Sequence, residues 1–108
     1  MANTFTSYAN KDVGTSPASV VTVGAGTQTT VVGMSVANTS ASPITASAYF
    51  TRSAVDYYLI KSATVPVGSS LVLVGGDQKV VLIPSDELKV VTSAAASADV
   101  VTSVLNIT

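Results

Sequence analysis

At 108 residues the chain has the length of one domain, and it must build its core without disulfides because it contains no cysteine. It contains no histidine either, which removes the commonest general base near neutral pH and with it the Ser-His-Asp and Cys-His arrangements. A net charge of −1, with Lys11, Arg52, Lys61, Lys79 and Lys89 widely separated, leaves nothing to neutralise a row of phosphates, so no direct nucleic-acid binding is expected.

Taken in chain order, residues 1–17 hold turn residues and weak periodicity, and they read as an N-terminal arm or edge strand ahead of a domain over residues 18–108. Their opening residues have neither a basic stretch nor an apolar run, which points to a protein assembled without export. No apolar run approaches the roughly 18 residues of a membrane span. Residues 18–23 form a first strand, ended by Gly24-Ala25-Gly26. That triplet is a turn rather than a phosphate loop, since no Gly-Lys-Ser/Thr follows it. Residues 28–38 form the next strand, with Gly33 marking a bulge or a close backbone approach.

A polar turn through Asn38 and Pro43 leads to strand 44–51. A break at Arg52-Ser53-Ala54 and strand 55–64 complete a hairpin. Pro66-Val67-Gly68 turns the chain into strand 70–74, and Gly75-Gly76 reads as a hairpin connection to strand 79–83. After Pro84, Ser85 could cap a short helix over 84–89, but β-branched Val90 and Val91 favour a strand there. Residues 94–98 are a loop or a strand end, and a last strand runs from Asp99 to Ile107. About seven or eight closely spaced strands make an all-β fold, a single antiparallel β-sandwich or jelly roll.

Charged residues make up only 10% of the chain, against roughly 25% in a typical globular protein. Spread over the roughly 5,500 Å² that a chain of this mass exposes, that surface is short of charge, which favours partial coverage by neighbouring subunits over a free Ser/Thr-coated domain. The last strand points the same way. Val101, Ser103, Leu105 and Ile107 share one face, while Val100, Thr102 and Val104 share the other, and neither is a solvated pattern. Either both faces are covered within the monomer, or Val100, Thr102 and Val104 meet another subunit.

Catalytic equipment is sparse. The carboxylates Asp12, Asp56, Asp77, Asp86, Glu87 and Asp99 all sit beside turn signals, where Asp is favoured by local hydrogen bonds. A catalytic pair such as Asp56 with Asp86 is therefore disfavoured, and a calcium site at Asp86-Glu87 or Asp77 has no supporting spacing. The chain is expected not to be an enzyme and to need no cofactor or metal. Asn38-Thr39-Ser40 and Asn106-Ile107-Thr108 match the glycosylation sequon only as such a Ser/Thr-rich chain would by chance. Tyr49, Phe50, Tyr57 and Tyr58 bracket the hairpin, should lie on its two faces, and are either core or a contact patch for a subunit or a glycan.

The segments Thr29–Asn38 and Pro66–Leu71, with the closing strand Asp99–Thr108, resemble the small Val/Thr/Ala-rich structural proteins of tailed bacteriophage particles. The resemblance covers roughly residues 18–108 and is one of composition and architecture. It implies an oligomeric, commonly trimeric, β-sandwich of the virion that binds the major capsid protein or other virion proteins. Within that group a capsid decoration (cement) protein is favoured over a tail, neck, baseplate or fibre accessory. The alternative outside it is a carbohydrate-binding module using the hairpin aromatics.

Overall fold

The computed structural model describes residues 3–74 and 79–108. Nine strands follow one another as β1 (Asn3–Val13), β2 (Ala18–Thr22), β3 (Gln28–Asn38), β4 (Ile44–Arg52), β5 (Val55–Val65), β6 (Ser70–Val74), β7 (Val80–Leu82), β8 (Glu87–Thr92) and β9 (Ala98–Ile107), with no helix among the described residues. They form two antiparallel sheets. Sheet A has the order β1-β9-β3-β6, with β7 also on β3, and sheet B has the order β2-β8-β4-β5. The chain passes from sheet to sheet as it winds, so the sandwich is a jelly roll in which β6 and β7 share the place of one edge strand.

That sharing corrects one expectation. Strands β6 and β7 do not form a hairpin with each other. Both run antiparallel to β3, end to end along the same side, with Met34 opposite Val74 and Val31 opposite Val80. The Gly75-Gly76 connection itself lies outside the described residues. The helix at 84–89 is also absent. Ser85 has a left-handed φ of 75°, and the Asp86 amide closes a tight turn on the Ile83 carbonyl at 3.0 Å before β8 begins.

The core is built from small branched side chains. Val31, Val36, Val65, Leu82, Leu88, Val90, Val100 and Val104 are all fully buried. The inner positions of β8 and β9 follow the strand period of two, since Leu88, Val90 and Thr92, and then Val100, Thr102 and Val104, point inward. In β3 the inward set changes parity at the bulge between Val31 and Gly33, so Thr29 and Val31 point inward before it and Met34, Val36 and Asn38 after it. Asn38 then closes the end of the sandwich. Its amide nitrogen donates to the Ser42 and Val65 carbonyls, while its oxygen accepts from the Ser40 amide and hydroxyl. A side chain so buried and so fully bonded is no glycan acceptor.

Two local features are costly, and both generate predictions. The β4–β5 hairpin turns through Ser53 and Ala54, which both have positive φ (52° and 62°), the geometry of a type I′ turn. An alanine there pays steric strain that glycine does not, so Ala54→Gly should raise stability by about 0.5 kcal/mol. The Thr102 hydroxyl is buried among valines without a hydrogen-bond partner. Replacing it by the isosteric valine removes a desolvated polar group, so Thr102→Val should be neutral or stabilising by about 1 kcal/mol. Chemical denaturation of each variant checks both values. A clear loss of stability in either contradicts the geometry.

Candidate functional site

The expected contact residues fall in three different environments. Val100, Thr102 and Val104 are fully buried against sheet B, so they are core and not an interface. The reason is parity. Both faces of β9 are apolar, and the structure turns this set inward. The opposite set, Val101, Ser103, Leu105 and Ile107, lies on the outer face of sheet A, where Val101 is 48% exposed.

The hairpin aromatics divide between two faces. Tyr49 stands opposite Tyr58 and Phe50 opposite Tyr57, with ring centroids 4.9 Å and 5.3 Å apart. The Phe50 side faces inward with the core, and there Tyr57 is left half exposed. The Tyr49 side looks outward from sheet B, yet Tyr49 itself is buried by its neighbours. Burial pushes its phenol above the ordinary tyrosine value, nearby Asp56, Tyr58 and Glu87 add to this, and Lys89 opposes it. The Lys61 ammonium sits 5.0 Å over the Tyr58 ring, and the Arg52 guanidinium 5.1 Å over Phe50. These ring faces are already engaged within the chain, which leaves less of a stacking platform for a sugar.

The two outer faces carry different rows of side chains. Pairing aligns Ser19, Lys89, Tyr49 and Tyr58 across sheet B, and Thr22, Glu87, Thr51 and Asp56 in the next row. Ser19 donates to Glu87 at 2.9 Å and Lys89 approaches it at 3.2 Å, and both hold the Glu87 carboxyl below its ordinary value. On sheet A the rows are different. Phe5, Leu105, Thr30 and Val81 form one, Ser7, Ser103 and Gly33 a second, and Ala9, Val101, Ser35 and Val72 a third. No charged residue is paired within these three rows, and the exposed Lys79 precedes β7 two residues from Val81. Phe5 is 75% exposed, Val72 66% and Val81 56%, so the face is apolar and open. Asp99, paired with Lys11 at 3.6 Å, borders it at one end.

Sequence reasoning found the two-sided apolar character of the last strand but missed this face. The missing signal was β1. Its Phe5 lies beside Leu105, which becomes visible only once β1 is known to pair with β9 along nearly its whole length.

The carboxylates weighed as a catalytic pair or calcium site are otherwise occupied. Asp56 accepts from Thr51 at 3.0 Å. Asp86, buried between the sheets' ends, takes Arg52 Nε and Nη2 at 2.9 and 2.6 Å and the Ile83 amide at 2.9 Å. Asp77 lies outside the described residues. Among the described residues no group of three or more His, Cys, Asp or Glu side chains could hold a metal ion.

No protein-family model and no curated protein matches this sequence. Solved structures do match the fold. One is a chain from Bacillus endospore appendages, described as a novel family of disulfide-linked pili, with a TM-score of 0.58 at 13% identity over 99% of this chain and 87% of that one. Another is a chain of infectious bursal disease virus, Gx strain, with a TM-score of 0.54 at 12% identity. That match covers 96% of this chain but 35% of the viral one, so this chain spans about a third of its length. At such identities the likeness is one of fold. Neither neighbour is described as a tailed-phage protein.

The Asp86–Arg52 pair ties the hairpin end of β4 to the turn before β8. The Arg52 hydrogen bonds, helped by the Ile83 amide, hold the Asp86 carboxyl below its ordinary value against the opposing effect of burial. A carboxyl lowered by folding contributes fully above its unfolded-state value, and the contribution is lost as pH falls through the lowered one. Thermal midpoints should therefore be level from neutral pH to about pH 5 and decline below about pH 4. Asp86→Asn should cost roughly 2 kcal/mol at neutral pH and flatten the acid limb. An acid limb unchanged in the variant would show that other carboxylates govern it.

Proposed function

We propose that this chain is a structural subunit that works by packing against other proteins, and that its place is the surface of a virion, as a decoration protein on the outer capsid. The open, largely apolar outer face of sheet A carries this reading. A face several strands wide with Phe5, Leu105, Val72, Val81 and Val101, and with its charges at Lys11, Asp99 and Lys79 around them, is built to be covered. The outer surface of sheet B differs in carrying Glu87, Lys89, Asp56 and Lys61 among its exposed side chains. Viral and pilus chains with the same fold support an assembly role, and the resemblance to tailed-phage structural proteins supports the capsid.

The mechanism needs no chemistry on a substrate, and the chain is not an enzyme in this reading. Each copy bound across a junction between capsid subunits adds contact area, and binding only the assembled state stabilises it by mass action. The same surface would serve a tail, neck or baseplate accessory. The trimer implied by the phage resemblance belongs to this proposal too.

A second reading, a filament subunit, is favoured by the nearly complete mutual coverage with the endospore appendage chain. The disulfide linkage described for those pili has no counterpart here, because this chain has no cysteine.

Co-sedimentation of the purified chain with particles stripped of accessory proteins tests the first reading, and electron microscopy of the chain alone tests the second. Saturable binding that raises the particles' disruption temperature is the expected result. Ordered filaments formed without any particle would favour the second reading, and a chain that neither binds nor assembles would contradict both.

A further inference from the structure

We propose that β1 is an exchange arm: in the assembled protein, residues 3–11 leave their own β9 about a hinge at Asp12 and lie on β9 of a second copy of this chain. This deepens the structural-subunit reading and rests on it, by naming what links one copy to the next.

The strand has two unequal parts. Its end is anchored. Val13 is buried in the core, its carbonyl accepts from the Ser97 amide at 3.0 Å, and the Gly14 carbonyl accepts from the Thr92 amide at 2.9 Å. The stretch before it is held differently. Asn3 to Asn10 pair with Ile107 to Val100 of β9, and none of these β1 residues is buried. Thr6, Tyr8 and Asn10 share the inward parity of their partners Val104, Thr102 and Val100, yet Tyr8 is 38% exposed and Asn10 reaches the Ser19 carbonyl only at 3.5 Å. A strand held by its ladder is held weakly, because the net gain of each backbone hydrogen bond is offset by the entropy of ordering the residue that makes it. The other long edge strand, β5, differs in packing Leu59, Ile60 and Val65 into the core.

A hinge lies between the two parts. The register shifts between Asn10 and Val13, and the bulge leaves Lys11 and Asp12 outside the ladder. Asp12 has a left-handed φ of 56°, a conformation that costs an L residue energy. Its fastenings are exposed. The Asp12 amide donates to Asp99 Oδ1 at 3.2 Å and the Lys11 ammonium stands 3.6 Å from Asp99 Oδ2, an ion pair that water screens. Turning Asp12 into the extended region relieves the strain and carries the arm off its own sheet.

The vacated site calls for a like strand. Departure of the arm uncovers the ladder donors and acceptors along β9, and the strand that fits them in register is β1 itself. Another copy's arm makes each contact that the chain's own arm made, without the strain at the hinge, which is the condition under which strands exchange. Extended at about 3.4 Å per residue the arm spans roughly 30 Å. The molecule is 27 Å wide, so the arm reaches a copy lying alongside.

The facing residues Ser7 and Ser103 provide the test, in a chain with no cysteine of its own. The double variant Ser7→Cys/Ser103→Cys is refolded at high micromolar concentration and oxidised. Its disulfide forms within one chain if the arm stays at home and between chains if it is exchanged, as non-reducing gels and peptide mapping will read. Links between chains, joining position 7 to position 103, are expected. Adding Asp12→Gly, which adopts the left-handed turn freely, should lower the linked share roughly fivefold, and Asp12→Val should raise it. The pair Ser7→Cys/Thr64→Cys, with Thr64 on the far edge of sheet B, should give no such link. Circular dichroism and thermal unfolding confirm that each variant is folded. A disulfide confined to single chains overturns the proposal, and so do free thiols at both positions.

Particle binding of the wild type is measured separately. A chain whose double variant links only within itself, but which co-sediments with particles, refutes the exchange and leaves the structural-subunit reading standing. Chains that link to one another yet neither bind particles nor form filaments keep the exchange and sink the assembly role.

Discussion

The position of β9 decides the rest of the molecule. It lies between β1 and β3 at the centre of sheet A, and its neighbours take their register from it. Apolar patterning alone would not fix that register, because Val100 and Val104 on one face are matched by Val101 and Leu105 on the other. A one-residue slip would exchange two nearly equivalent sets. Other contacts break the tie. The Thr29 hydroxyl donates to Asn106 at 2.7 Å at one end of the strand. At the other end Ser97 and Thr92 share a hydroxyl contact of 2.7 Å, and Ser97 also donates to the Ala94 carbonyl. Gly14 lets β1 close against this loop, since a side chain there would meet the Ala96 nitrogen at 2.8 Å. Once β9 is held at both ends, Val100, Thr102 and Val104 become core, and Val101 and Leu105 are left on the surface.

That choice sets the surface chemistry. With β9 in this register, Phe5 comes to lie beside Leu105 and Val72 two strands from Val101, which concentrates exposed apolar side chains on one outer face. Charged side chains pair in the Arg52–Asp86 tie at the hairpin, in the Glu87–Lys89 surface of sheet B and in the Lys11–Asp99 pair at the border of sheet A. The structural role proposed above rests on this apolar face.

Much of the architecture was legible in the sequence, and what escaped it has specific causes. Strand β3 has the expected bounds, and its bulge lies beside Gly33, with Val32 left out of the pairing. The aromatic hairpin was readable because Arg52-Ser53-Ala54 interrupts two strand-like runs, and its rings do lie on both faces. The relation of β6 to β7 was not readable, since Gly-Gly between two apolar runs is the local signal for a hairpin whether or not β3 offers both runs a shared edge. The inward face of β9 was not readable either. Parity in a two-sided strand is decided by partners distant in sequence, such as Thr29 for Asn106, and no local pattern records them.

The central claim, that the outer face of sheet A is the surface the protein uses, is tested most directly by side-chain footprinting with a carbene reagent. Labelling would be compared between the chain in its native assembly and the chain dispersed to monomers. The account predicts that assembly protects Phe5, Val72, Val81 and Val101 while Tyr57, Tyr58 and Lys61 label equally in both states. Equal labelling of the sheet A residues, with protection confined to the sheet B hairpin, would contradict it.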